Sequence, residues 1–129
     1  PIIDKGEADC ILSFELLEAA RYTEYLKPGG RIIVNSQQIN PMPVIAGMAV
    51  YPENLEEKLA ALGSNVDAFD ALALAEEAGS SKAVNLVLMG RLARHFDFTK
   101  EEWMEAIEHS VPPKFLEMNK KAFESGLTA

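Results

Sequence analysis

Apolar residues crowd into short, nearly continuous runs early in the chain and spread out to helical spacing later, and that change predicts the order of elements. Ala8 to Phe14 is an almost unbroken apolar run, the form of a strand covered on both faces. Glu15 to Leu26 follows with good helix formers and two carboxylates in its first turn, and Pro28-Gly29-Gly30 stops it. Arg31 to Asn35 then reads as a second buried strand. Strand, helix, turn and strand within about thirty residues make a βαβ crossover, which sets the two strands parallel.

The middle of the chain is more open. Gln37 to Pro43 is loop-like, and Met48-Ala49-Val50-Tyr51 has the pattern of a further strand. Pro52-Glu53-Asn54 opens an amphipathic helix through Leu55, Leu59 and Leu62, closed by Gly63. Val66 to Phe69 is a short strand or a turn, and Ala71 to Ala78 is a helix ending at Gly79. Three more helices finish the chain. One starts near Ser81, one behind the capping box Thr99-Lys100-Glu101-Glu102, and one after Pro112-Pro113. With no repeat, linker or low-complexity tract, residues 1–129 read as a single α/β domain: a three-layer α/β/α arrangement with a mostly parallel sheet and a helical last third.

The stretch Ala83-Val84-Asn85-Leu86-Val87-Leu88-Met89-Gly90 places an asparagine and a glycine, both poor helix formers, inside a strongly apolar helix. At about 100° per residue, Arg91, Arg94 and His95 gather on one arc predicted to face water. Asn85 lies outside that arc, beside Met89, Leu92 and Phe96. Its amide is therefore expected to be buried, at a cost of about 1–3 kcal/mol for each polar group left without a partner. Ala83, Leu86, Gly90 and Ala93 form a seam of mostly small side chains where another backbone can approach closely, which gives Gly90 a packing role. Asn119 repeats the theme between Phe115 and Phe123 at i−4 and i+4. Two buried amides predict a polar network. In the plain structural reading they pin loop backbones; in the other they touch a ligand or a second subunit.

Composition narrows the partners. The 129 residues are 48% hydrophobic and 25% charged, enough apolar surface for one soluble core. A formal charge of −8 and a pI near 4.7 oppose a sequence-independent grip on phosphate, so neither nucleic acid nor an anionic membrane is expected as a partner. Cys10 is the one cysteine, set in an apolar run and expected to act as a small buried hydrophobe, so neither a disulfide framework nor a four-cysteine cluster can be built from this chain alone. No apolar stretch has the length of a membrane span and the first residues do not open a signal peptide, which predicts a cytoplasmic protein.

The candidate polar residues are few. Glu15 follows the first strand directly, and Asn35 ends the second, both at the carboxyl edge where open parallel sheets bind ligands. Each also has a structural explanation, as a helix N-terminal carboxylate and as a turn former. His95 has no ligand-type residue one helical turn away and His109 has only Glu105, so both read as surface residues and no metal site is predicted. Trp103, with Met104 and Ile107, reads as core. No Ser-His-Asp or Cys-His arrangement stands out, and no catalytic residue is assigned.

Taken together, several motifs carry a family resemblance. They are Ala8-Asp9 leading a strand into Phe14-Glu15, then Leu26-Lys27-Pro28-Gly29-Gly30, Asn35, Tyr51-Pro52, the helix from Ala83-Val84-Asn85 to Met89-Gly90, and Asn119-Lys120-Lys121-Ala122-Phe123-Glu124-Ser125-Gly126. In this order, over nearly the whole chain, they resemble the gamma domain of 2-oxoacid:ferredoxin oxidoreductases, a family of pyruvate and ketoisovalerate enzymes, in the flavour of the beta subunit of indolepyruvate oxidoreductase. The helix and the terminal Asn-x-x-Ala-Phe-x-x-Gly are the more specific parts.

The resemblance implies an accessory subunit of a complex that oxidatively decarboxylates a 2-oxo acid on thiamine diphosphate. Electrons would pass through iron–sulfur clusters to ferredoxin, with release of an acyl-coenzyme A. Neither four cysteines nor a Gly-Asp-Gly signature with a downstream Asn-Asn pair occurs here, so thiamine diphosphate and the clusters are expected on partner subunits and no cofactor on this chain alone. Family members begin with a strand and a Gly-x-Gly-Gly-Gln-Gly turn that this sequence does not carry, so an N-terminally truncated domain, lacking the first strand and helix of the sheet, is expected. Two rivals remain. An Asp-led strand followed by Leu-Lys-Pro-Gly-Gly-Arg-Ile-Ile-Val also looks like the later half of an S-adenosylmethionine-dependent methyltransferase, although three terminal helices without a further strand do not match its alternation. The other rival is a noncatalytic interaction module that forms a homodimer through the Gly90 seam.

Overall fold

The computed structural model describes residues 2–129. They form two compact units that divide between Phe69 and Asp70. The first holds an all-parallel sheet in the order β1-β2-β3, with β1 at Ala8–Ser13, β2 at Leu26–Asn35 and β3 at Asn65–Phe69. The second is wholly helical. The class is α/β, and the βαβ crossover from β1 to β2 is present.

In the sheet unit, Ile11, Ile32 and Val66 are register partners, as are Val34 and Ala68, so these side chains share one face. That face packs with Ala19 and Leu16 of α1 (Leu16–Arg21) and Leu59 of α3 (Leu55–Ala61) to make the core. β2 is the central strand and its Ile32 to Asn35 are buried, whereas β1 is only half-buried rather than covered on both faces, and Phe14 beyond it is 52% exposed.

Several elements differ from the sequence pattern for identifiable reasons. The helix after β1 stops at Arg21 rather than running to Leu26. Its last carbonyls, on Ala19 and Ala20, take the Tyr22 N–H, and a 3-10 turn over Thr23–Tyr25 follows, with Thr23 Oγ1 donating to the Ala20 carbonyl. Pro28-Gly29-Gly30 is not a turn ahead of the strand but an irregularity inside it. Ala8 pairs with Leu26 and Cys10 with Arg31, so β2 carries extra residues that its neighbour lacks. Gly29 sits at φ +74°, and a Cβ on Gly30 would lie 2.6 Å from the Leu26 side chain, so both glycines are needed there. Met48 to Tyr51 is not a strand: Met48 and Val50 are 84% and 85% exposed, so the alternation has no sheet to face. A short helix α2, Met42–Ile45, precedes it behind Pro41, where Pro43 suits the first turn. Leu55 and Leu59 are buried as the amphipathic pattern predicts, but Leu62 lies past the helix end and is exposed.

The helical unit follows the sequence pattern more closely. α4 is Ala71–Ala78, capped by Asp70 and ended by Gly79 at φ +136°, with Ala71, Ala75 and Ala78 buried on one stripe. A 3-10 turn at Ser81–Ala83 leads into α5, Val84–Ala93. Thr99 caps α6, Lys100–Ser110, its hydroxyl accepting the Glu102 N–H at 3.2 Å. Pro113–Phe115 winds a further 3-10 turn into α7, Leu116–Thr128. The core gathers Ala93, Ile107 and Phe123 with Leu86, Met89, Trp103 and Leu127 around them.

Candidate functional site

Glu15, just past β1, and Asn35, the last residue of β2, lie at the carboxyl edge of the sheet, and both are buried, at 4% and 2% exposure. Glu15 stands just outside α1 in an extended conformation as its N-cap, so it is not a residue of the helix's first turn. Its Oε2 accepts the Glu18 N–H at 3.0 Å. Its Oε1 accepts two more donors from far along the chain, the Ile39 N–H at 3.3 Å and the Tyr51 hydroxyl. Ser13 supports the corner: its hydroxyl donates to the Glu15 carbonyl at 2.8 Å. Asn35 Nδ2 donates to the Phe14 carbonyl and to Gln37 Oε1, each at 3.3 Å, tying the end of β1 to the chain leaving β2.

Tyr51 feels this environment. Burial first, and then its hydrogen bond to Glu15, push the phenol up from its usual 10 to about 12. It lines an open groove of about 940 Å³ with Leu16, Gln38, Val50 and residues of α3. Sequence reasoning saw Tyr51 only as a strand residue and a family motif, and missed it as the partner of Glu15. The available signal was the absence of any Asp, Glu, Lys or Arg between Arg31 and Glu53. On that stretch Ile39, Met42, Ile45, Met48 and Val50 are 55%, 71%, 67%, 84% and 85% exposed.

The residues singled out in the helical unit fall elsewhere than expected. Asn85 is exposed, not buried, and Asn119 is half-buried, with its Nδ2 donating to the Phe115 carbonyl one turn back at 2.8 Å. Both line a cavity of about 470 Å³ with Leu86, Val111, Phe115 and Met118, so they share a hollow rather than forming a buried network. The reason is a rotation of the buried stripe. Val87, Leu88, Gly90, Arg91 and Ala93 face inward, while Phe96 lies beyond the helix and is 48% exposed. Arg91 therefore does not face water as predicted; it is 9% exposed and donates to the Ala129 carbonyl, beside Arg94, which donates to the Leu127 carbonyl at 2.6 Å.

The seam brings two helices into close approach. A Cβ on Gly90 would lie 2.1 Å from the Phe123 carbonyl oxygen, and one on Gly126 would lie 1.9 Å from that of Val87, so α5 and α7 touch backbone to backbone through two glycines. Ala83 and Ala93 are buried beside them. At Gly90 the seam is filled by α7 of the same chain, so that glycine's packing role is met within the fold.

His95 and His109 are both exposed, with His109 Nε2 3.9 Å from Glu105. Trp103 stacks edge-on to Phe98 and tilted against Phe123. Cys10 is half-buried, and burial pushes its thiol up, away from the reactive thiolate. A cluster needs several thiolates, and this sequence has one; among the described residues no group of three His, Cys, Asp or Glu side chains is placed to hold a metal. The residues present do not fit an iron–sulfur centre. Among them, no helix is long and apolar enough to cross a membrane.

These features define a parallel α/β chain whose sheet edge is closed by its own carboxylate, amide and phenol. Comparison with known proteins assigns its family. The family described as pyruvate ferredoxin/flavodoxin oxidoreductase matches residues 1–129. Indolepyruvate oxidoreductase subunit IorB of Thermococcus kodakarensis is 43% identical over 99% of this chain, and that of Pyrococcus horikoshii 42% over 99%. The chain spans 66% of the length of each of these relatives. The crystal structure of the gamma subunit of a keto/oxoacid ferredoxin oxidoreductase from Geobacter sulfurreducens superposes with a TM-score of 0.67 at 25% identity, over 98% of this chain and 66% of that one. The chain belongs to the pyruvate ferredoxin/flavodoxin oxidoreductase family, which takes the place of the methyltransferase reading.

Proposed function

We propose that this chain is a gamma-type accessory part of a 2-oxoacid:ferredoxin oxidoreductase whose substrate is indolepyruvate, and that it supplies no group to the chemistry itself. The substrate is supported by the names of the two archaeal relatives above. The accessory role rests on one observation: Glu15, the acid at the ligand-binding edge of the sheet, is occupied by three donors of its own chain. A carboxylate so engaged holds structure and is poorly placed to move a proton. Thiamine diphosphate, the iron–sulfur clusters and the coenzyme A that takes the acyl group are held by partner subunits. Ferredoxin, which receives the electrons, is a soluble acceptor, in keeping with a cytoplasmic complex.

The test is anaerobic purification of the tagged chain from its own organism, with iron and thiamine diphosphate measured and dye reduction assayed across several 2-oxo acids. Co-elution of a larger cluster-bearing subunit, with indolepyruvate the preferred substrate and no activity in the separated chain, is the expected result. A chain that comes down alone and cofactor-free contradicts the reading.

A further inference from the structure

Between Arg31 and Glu53 the chain carries no charged residue, although a quarter of the whole sequence is charged. Part of that stretch is β2, where burial explains it; the part from Ile39 to Val50 is at the surface. Five large apolar residues there, Ile39, Met42, Ile45, Met48 and Val50, are each more than half exposed. Apolar residues exposed singly are ordinary on a protein surface, whereas several along one uncharged segment mark an interaction surface. Depletion of charge and enrichment in methionine, here Met42 and Met48, mark the centre of an interface.

The strip is also held in place. Ile39 at its start and Tyr51 just past its end both donate to one oxygen, Oε1 of the buried Glu15. Inside the loop so closed, α2 is fastened by Val44 and Ile45 N–H bonds to the Pro41 carbonyl, and the Met48 N–H reaches the Pro43 carbonyl at 2.8 Å. An apolar loop braced in this way loses less conformational freedom on docking than a free one.

We infer that residues 39–50 are the face by which this chain docks onto the cofactor-bearing subunit of its complex, with Glu15 as the residue that positions it. This rests on the accessory reading above. The partner is a protein surface with an uncharged apolar centre and a neutral or basic surround. A second copy of this chain fits worse, because it would bring a formal charge of −8 beside another of −8.

The experiment expresses tagged variants in the native organism and measures the recovered complex against wild type. Met48→Lys and Met42→Lys place a charge in the strip, while Leu62→Lys places one on an equally exposed leucine outside it. Circular dichroism and thermal unfolding of each free chain check that it folds. The strip variants are expected to lower recovered complex by about tenfold or more, from burial of an unpaired charge, with Leu62→Lys close to wild type. Met48→Lys assembling as well as wild type overturns the inference. A wild-type dimer in sedimentation that Met48→Lys dissociates overturns it in favour of a second copy. If wild type itself recovers no partner, the accessory reading fails and the docking face with it; loss confined to the strip variants separates the two.

Discussion

The sheet unit and the helical unit achieve tightness by opposite means. In the helical unit, Gly90 and Gly126 remove side chains so that α5 and α7 meet at the backbone, and the small-residue seam is consumed inside the chain. In the sheet unit, Glu15 adds a buried polar side chain and gathers donors from α1 and from both ends of an exposed apolar loop. The first device closes a surface, and the second displays one. An apolar stripe and a buried polar group thus carry different information: the stripe in α5 reports folding, and the carboxylate at the sheet edge reports what the fold holds ready.

Substitutions can break that contrast, and the largest effect is expected at the glycines. Gly90→Ala drives a methyl group into the Phe123 carbonyl and toward the Leu127 N–H, 2.9 Å from the Cβ, where backbone cannot yield cheaply. Denaturant unfolding should show a loss of about 3 kcal/mol or more. A change under about 1 kcal/mol would mean that the two helices do not pack this closely.

Glu15→Ala should cost about 2–3 kcal/mol, because it leaves the Tyr51 hydroxyl and two N–H groups without their acceptor. Its signature is local: hydrogen exchange over residues 39–50 should speed up while α5 and α7 stay protected. Uniform loosening of both units would erase the distinction drawn between them.

Tyr51→Phe sharpens the same point through pH. The phenol's pKa is about 12 in the folded chain against its usual 10, so its contribution is whole below pH 10 and is lost as pH rises toward 12. Between those limits the wild type should lose roughly 1–2 kcal/mol more than the phenylalanine variant, after allowance for the phenol's partial exposure. Parallel pH profiles from urea unfolding would show that Tyr51 does not ionise against Glu15. The smallest effect belongs to Asn85→Leu, which should stay within about 0.5 kcal/mol because the side chain is exposed.

Much of the fold was legible in local pattern. The crossover, the Ala71 to Ala78 helix with its glycine stop and the Thr99 cap all follow from spacing and end signals that act within a few residues. What local pattern cannot carry is how a segment is covered. Met48 to Val50 alternates like a strand but has no sheet to face, and Pro28-Gly29-Gly30 looks like a turn until the register of β1 shows a bulge. Asn85 and Arg91 exchanged their expected environments because the stripe of α5 is set by contact with Gly126 and Phe123, more than thirty residues away, rather than by its own composition. The candidate edge was half legible. Glu15 and Asn35 followed from the rule on parallel sheets, whereas Tyr51 and Ile39 reach Glu15 only through a loop whose path no periodicity encodes.

Hydrogen–deuterium exchange, comparing the free chain with the same chain in its purified complex, tests the division between the two units most directly. New protection over residues 39–52 on assembly, with little change in α5 and α7, is the expected result. New protection along α5 and α7, with residues 39–52 exchanging as fast in the complex as alone, would contradict it.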